Sequence, residues 1–228
     1  MRKWDQCQTE LNVDELKQRP CFGGLDLSST RDVTAFVLVF PEDGGGVSVL
    51  PWFWIPNDNI DQRSGQDQRQ VRNYASKGHI ETTEGNEVDV IYLADRLYEI
   101  CQEFDVRYIG FDPWNAAGVT QLLQDRGLPD HVLMKMPQTF GTYNEPLKTC
   151  LSWIENKKLR HNGNDVLRWM ASNTVAKEDA SGNIRPDKGK SADKIDGVCA
   201  MLMGVAIATV YGHQKSAYET AGDGVLLC

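Results

Sequence analysis

Cys21-Phe22-Gly23-Gly24-Leu25-Asp26-Leu27 is an apolar stretch with a single charge inside it. After the polar residues Ser28 to Asp32, Thr34 to Phe40 is a nearly continuous apolar run. Glu42-Asp43-Gly44-Gly45-Gly46 reads as a hairpin connection, and Val47 to Ile55 returns as an aromatic-rich run. Short apolar runs bounded by Gly and Asp predict three strands joined by short turns, an antiparallel meander.

Outward from this meander the period changes. Gln66 to Lys77 and Val88 to Phe104 have helical spacing, with Ile91, Leu93, Ala94, Leu97, Tyr98 and Cys101 on one face of the second. Tyr108 to Phe111 predicts a short buried strand ended by Pro113, Ala116 to Arg126 a helix stopped by Gly127, and His131 to Met136 a strand closed by Pro137. Glu145 to Asn156 and Asp165 to Val175 read as helices, Ala176 to Pro186 as a hairpin around Ser181-Gly182-Asn183, and about Ala192 to Tyr211 as a last helix. Three antiparallel strands, then strands alternating with helices, predict one mixed α/β domain. Residues 1–20 are expected as a linker or disordered segment, 21–211 as the domain, and 212–228 as a flexible tail.

The 228 residues carry 32 acidic and 24 basic side chains, a net charge of −8, so the strongly basic balance of a high-affinity stand-alone DNA binder is missing. A nuclease that takes positive charge from metal ions and from a DNA-holding partner remains compatible with it. Six dispersed cysteines fit free thiols of a reducing compartment better than a disulfide scaffold or a zinc knuckle. Met1 to Glu10 has no apolar core for a signal peptide, and Val198 to Val210 is too short to span a bilayer. The four histidines are dispersed, which argues against zinc, and no Gly-x-Ser-x-Gly elbow is present. The tryptophans at 52, 54, 114, 153 and 169 fit a core, with Trp114, beside Asp112, as the exception that could stack on a base.

The chemistry lies in the acids. Asp26 is alone in its apolar strand, Asp112 ends another, and Asp193 and Asp196 are three apart at the expected start of the last helix. Clustered carboxylates repel one another unless a cation compensates, and hard divalent ions prefer oxygen ligands. Two such ions would activate a water and stabilise the leaving oxygen of a phosphodiester. Taken singly, each acid also fits a structural duty: Asp112-Pro113 a turn, Asp32 a turn beside Arg31, Asp193 a favourable acid at a helix start.

Gly23-Gly24-Leu25-Asp26-Leu27-Ser28-Ser29-Thr30-Arg31-Asp32, Ile109-Gly110-Phe111-Asp112-Pro113 and Lys190-Ser191-Ala192-Asp193-Lys194-Ile195-Asp196-Gly197-Val198 together resemble the nuclease domain of the large terminase subunits of tailed bacteriophages. The resemblance runs from about Cys21 to Tyr211. It implies a ribonuclease-H-like mixed sheet with helices on both faces. It also implies a two-metal-ion endonuclease cutting concatemeric double-stranded viral DNA during genome packaging in the host cytoplasm, with magnesium or manganese. Asp26, Asp112 and Asp196 match the metal-binding acids of that family, and Asp193 a position that holds a ligand in some relatives. Lys188, Lys190, Lys194 and Arg185 form a basic patch that would contact phosphates or be an ordinary solvated loop.

A complete large terminase also has an ATPase motor. Gly189-Lys190-Ser191 is not its phosphate loop, because the glycine needed five residues earlier is Ile184. The chain is therefore expected to be an isolated carboxy-terminal domain, and the resemblance implies the ATPase domain, the small terminase subunit and the portal as partners. Two other readings stand beside it. One is a catalytically silent docking domain for portal or small subunit, which the acidic surface would suit. The other is half of an actin-like or sugar-kinase ATPase, suggested by Asp26-Leu27-Ser28-Ser29-Thr30, though no second half or adenosine-binding glycine segment is visible.

Overall fold

The three apolar runs form the middle of the sheet as β1 (Pro20–Asp26), β2 (Thr34–Pro41) and β3 (Val47–Pro56), paired antiparallel in turn. The computed structural model describes residues 1–27, 33–63 and 65–212, so the expected turn at 28–32, Asp32 with it, and the expected tail past Gly212 lie outside the described residues. Two four-residue helices, α1 (Arg2–Asp5) and α2 (Val13–Leu16), precede β1. The expectation of a linker or disordered start differs from this: Trp4, Cys7 and Leu16 are buried in the core.

After β3 come α3 (Asn57–Asp61), α4 (Gly65–Ser76), β4 (Glu81–Thr83), α5 (Val90–Glu103), β5 (Asp105–Phe111) and α6 (Ala117–Asp125). They are followed by β6 (Leu133–Lys135), α7 (Phe140–Glu155), β7 (Leu159–His161), α8 (Asp165–Asn173), the hairpin β8 (Ala176–Glu178) and β9 (Ile184–Pro186), and α9 (Asp196–Tyr211). The main sheet runs β4-β3-β2-β1-β5-β6, with β7 on the other half of the β3 edge. β5 lies parallel to β1, which requires the long helical crossover that α5 supplies.

Side chains alternate across this sheet and divide the core in two. Cys21, Leu25, Phe36, Leu38 and Phe40 meet Leu93, Leu97 and Ile100 of α5 and Val119 and Leu123 of α6. Phe22, Val37, Val39, Val49 and Phe53 meet the other layer, α7, α8 and α9. α9 is the central helix of that layer and is buried around nearly its whole circumference, with Asp196 its one charged residue. It comes so close to β1 that a Cβ on Gly24 would collide with the Ala200 carbonyl, and one on Gly204 with Val39.

Several boundaries differ from expectation. Ile91 is 61% exposed, because the buried stripe of α5 is Leu93, Ala94, Leu97 and Ile100, and Ile91 lies in the first turn, where Asp89 caps Ile91 and Tyr92. α7 begins at Phe140, not Glu145: Thr139 caps it and Tyr143 is buried against α9, which leaves Pro146 inside the helix. α9 begins at Asp196, not near Ala192, because the Asp193 carboxylate accepts the Lys194 backbone N–H at 2.8 Å and holds a bend ahead of the helix. Cys7, Cys21, Cys101, Cys150 and Cys199 are free thiols, as expected.

Candidate active site

The sheet register explains why the acids meet. On β1, Gly24 and Asp26 share the face that α9 covers, and Gly24 stands opposite Gly110 of β5. Continuing that register one step past Leu25–Phe111 puts Asp26 of β1 beside Asp112, the residue that follows β5. Both acids thus lie at the carboxyl ends of neighbouring parallel strands, next to the amino end of α9 and Asp196.

Asp26 and Asp196 are buried, at 1% and 5% exposure, which is exceptional for carboxylates without partners. Their partner is Lys188. Its Nζ donates to Asp26 Oδ2 at 2.8 Å and to Asp196 Oδ1 at 3.0 Å. The other oxygen of Asp26 accepts from Gln138 Nε2 at 2.8 Å. Burial pushes the Asp26 carboxyl up to about 6, with Lys188 opposing and Asp196 reinforcing the rise. For Lys188, burial alone would lower the ammonium, but the two carboxylates outweigh it and hold it above the ordinary lysine range. Tyr143 and Cys199 complete the floor. Burial raises both well above their ordinary values, and the charge of Asp26 adds to it for each.

The remaining expected residues are placed differently. Asp112 is half-buried, and its Oδ1 accepts the Trp114 N–H at 3.2 Å, so the turn reading also holds for it. It does not join the Lys188 bridge, though its charge, like that of Asp26, acts on Tyr143. Among the described residues no group of three or more His, Cys, Asp and Glu side chains is close enough to hold a metal ion. Asp193 does not share a helical face with Asp196, since it precedes the helix. Arg185 turns inward: its Nη1 donates to the Gln138 carbonyl at 3.2 Å and its guanidinium lies 5.1 Å from the Phe140 ring centre. Lys190 is exposed on the turn after β9, and the Lys194 carbonyl accepts from Asn173. Trp114 is 86% exposed, the exception among the tryptophans that the sequence suggested.

Gln138 and Tyr143 were not foreseen. Neither carries a charge or a spacing that marks it, and both reach the site through the unexpectedly early start of α7.

A buried acid pair converging on one cation, at the strand ends of a mixed sheet, is the donor arrangement that a hard cation would take. Comparison with known proteins decides the family. The model of the terminase large subunit, endonuclease domain, matches residues 1–211. The chain belongs to that family. It is 33% identical over 211 residues to the large terminase subunit of Enterobacteria phage HK97, covering 90% of this chain and 40% of that protein. The crystal structure of the HK97 large terminase superposes with a TM-score of 0.82 at 31% identity, over 91% of this chain and 42% of that one. Protein YmfN of Escherichia coli K12 is 26% identical over 225 residues, 93% of this chain and 49% of YmfN. The chain thus spans less than half the length of these relatives. The large terminase nuclease of the thermophilic phage G20c with bound magnesium shares the fold, with a TM-score of 0.52 at 12% identity over 82% of this chain and 80% of that one. The fold is ribonuclease-H-like, as expected, and no helix among the described residues is long and apolar enough to cross a membrane.

Proposed function

We propose that this terminase nuclease domain is a metal-dependent endonuclease that cuts concatemeric double-stranded viral DNA during genome packaging. The observation that carries this reading is the convergence of Asp26 and Asp196, from β1 and α9, on a single cationic centre. The G20c relative with bound magnesium, and its counterpart with bound cobalt, support divalent ions as the cofactors. Here we propose two, magnesium or manganese, held by Asp26 and Asp196 with Asp112 on the adjoining strand, and Asp193 as an outlying candidate. When bound, such ions supply the Lewis-acid charge that activates water and stabilises a leaving oxygen.

The chain's own residues do the rest. Gln138 fixes the rotamer of Asp26, the Trp114 N–H orients Asp112, and the α9–β1 contact at Gly24 holds the acids at constant spacing. Lys188, Lys190 and Lys194 would meet the phosphate backbone; Arg185 would act at second hand, through Gln138. With a net charge of −8, binding to DNA by this chain alone is expected to be weak and steeply salt-dependent, so the ATPase domain, small subunit and portal are proposed to hold the DNA, in the host cytoplasm.

The test is incubation of supercoiled plasmid with the purified chain and manganese, magnesium or chelator. Linear and then fragmented DNA is expected with either ion and none with chelator. Folded protein that leaves the plasmid intact with both ions overturns the reading.

A further inference from the structure

Both oxygens of Asp26 are already engaged, Oδ1 by Gln138 and Oδ2 by Lys188, and Lys188 also holds Asp196. Each oxygen keeps a second lone pair, so a divalent ion can ligate Asp26 beside a neutral donor, and what it meets there is the positive charge already placed on the two carboxylates. Gln138 is neutral and sits on a backbone that Arg185 grips from β9, whereas Lys188 brings a positive charge to the same two carboxylates that the ion would take. An ammonium and a divalent ion crowded on the same two carboxylates repel each other, whereas the neutral Gln138 does not oppose the ion, so the repulsion singles out Lys188 as the donor to leave.

The surroundings suit such a departure. The carboxylates are fixed: one is in the central strand, the other in the first turn of the buried helix. Lys188 reaches them on a four-carbon stem from a surface turn, and its side chain is 44% exposed. The turn itself is anchored. The Asp187 N–H donates to the Val175 carbonyl, its carbonyl accepts the Lys190 and Ser191 N–H groups, and its carboxylate accepts Gly189 N–H. The ammonium can therefore change partners by side-chain rotation alone. The β8–β9 hairpin before this turn is seated on α7, with Asn144 accepting the Ile184 N–H and Phe140 lying under Arg185.

We propose that Lys188 is a displaceable internal counter-ion: it neutralises the Asp26–Asp196 pair in the metal-free protein, yields those carboxylates to the divalent ion, and then pairs with a DNA phosphate. This rests on the reading of Asp26 and Asp196 as metal ligands. It makes metal loading and phosphate binding mutually supportive, since each draws Lys188 to the same outward position.

The test is manganese binding to DNA-free protein by titration calorimetry, wild type against Lys188→Met, which keeps the length of the stem and removes its charge. Roughly tenfold tighter binding by the variant is expected, together with a lower melting temperature in chelator. Equal or weaker manganese affinity in a folded variant overturns the inference. Should Lys188→Met not fold, the wild-type lysine ammonium signals are followed by NMR during a magnesium titration. The Lys188 signal, protected by two ion pairs, is expected to lose its protection as the Asp26 and Asp196 resonances shift. Persistence of that protection at saturation overturns the inference. A wild type that cleaves plasmid while Lys188→Met binds manganese no tighter overturns this inference alone. Absence of manganese binding in both proteins overturns the metal-site reading with it.

Discussion

The two ends of the central sheet are each closed by a buried polar cluster, and the clusters work in opposite ways. At the carboxyl ends of β1 and β5, Asp26 and Asp196 are buried as charges, with Lys188 between them. At the other end, where β7 joins the start of β3, His161 is buried beside Trp4, their ring centroids 4.6 Å apart. His161 Nδ1 accepts the Gly163 N–H, so its Nε2 carries the proton that the Trp4 carbonyl receives at 2.9 Å, and the imidazole is neutral. Around it the N-terminal segment locks on: Thr9 N–H donates to the His161 carbonyl, and Arg168 holds Asp5 through both oxygens. One end keeps charges out of water at a cost in stability. The other excludes charge and seals the core. Substitutions at the first should be felt in cleavage and at the second in stability.

The largest effect expected is at Asp26. Asp26→Asn keeps an acceptor for Gln138 but removes the charge, and cleavage should fall by roughly 1000-fold, about 4 kcal/mol of barrier. Its metal-free melting temperature should not fall, because burial already disfavours the ionised carboxyl, as its upward displacement to about 6 shows. Asp196→Asn should behave alike in cleavage. A marked loss of apo stability with cleavage retained would reverse the roles assigned to the two ends. Next comes Trp4→Ala. Trp4 is 4% exposed, so denaturant titration should show a loss of about 3 kcal/mol, while cleavage per folded molecule stays the same. Asp112→Asn should be milder than Asp26→Asn, roughly 10- to 100-fold in cleavage, since Asn retains the acceptor for the Trp114 N–H and the turn stays formed. An Asp112 variant as active as wild type would remove that residue from the site.

How much of this was legible follows from chain distance. β1 to β3 were readable because each is a long apolar run punctuated by glycine and acid, and Asp26 stood out as the one charge within them. β4 and β7 were not, since Glu81-Thr82-Thr83 and Leu159-Arg160-His161 are too short and too polar to show a period, and only the β3 edge makes them strands. The N-terminal segment was misread for the same reason: two four-residue helices have no periodicity, and Trp4 and Leu16 gain meaning only by burial against distant residues. At the site, Lys188 was recognisable as basic, but its partner Asp26 is 162 positions away, and nothing local distinguishes a lysine that meets phosphate from one that bridges buried acids. Asp193 was placed on the last helix because Ser191-Ala192-Asp193 has the look of a helix start, whereas the helix waits for Asp196.

The smallest effect sharpens the contrast most directly, because it turns on a single proton. Burial lowers the pKa of His161 below its ordinary 6.5, outweighing the Trp4 carbonyl and Asp5, which act the other way. Above about pH 7 the imidazole is neutral in both the folded and unfolded chain and makes no pH-dependent contribution. As the pH falls through 6.5 the unfolded chain takes up a proton that the folded one resists, so stability declines until the lowered folded value is reached. The slope from this one group is at most about 1.4 kcal/mol per pH unit. His161→Gln keeps an N–H for the Trp4 carbonyl and cannot titrate. Urea denaturation of the two proteins between pH 5 and 8 should therefore give curves that run parallel above pH 7 and separate below it, with the wild type losing stability faster. Curves that stay parallel down to pH 5 would mean that the seal at this end admits a charge, and the distinction between the two ends of the sheet would then lie only in the sign of the buried ion.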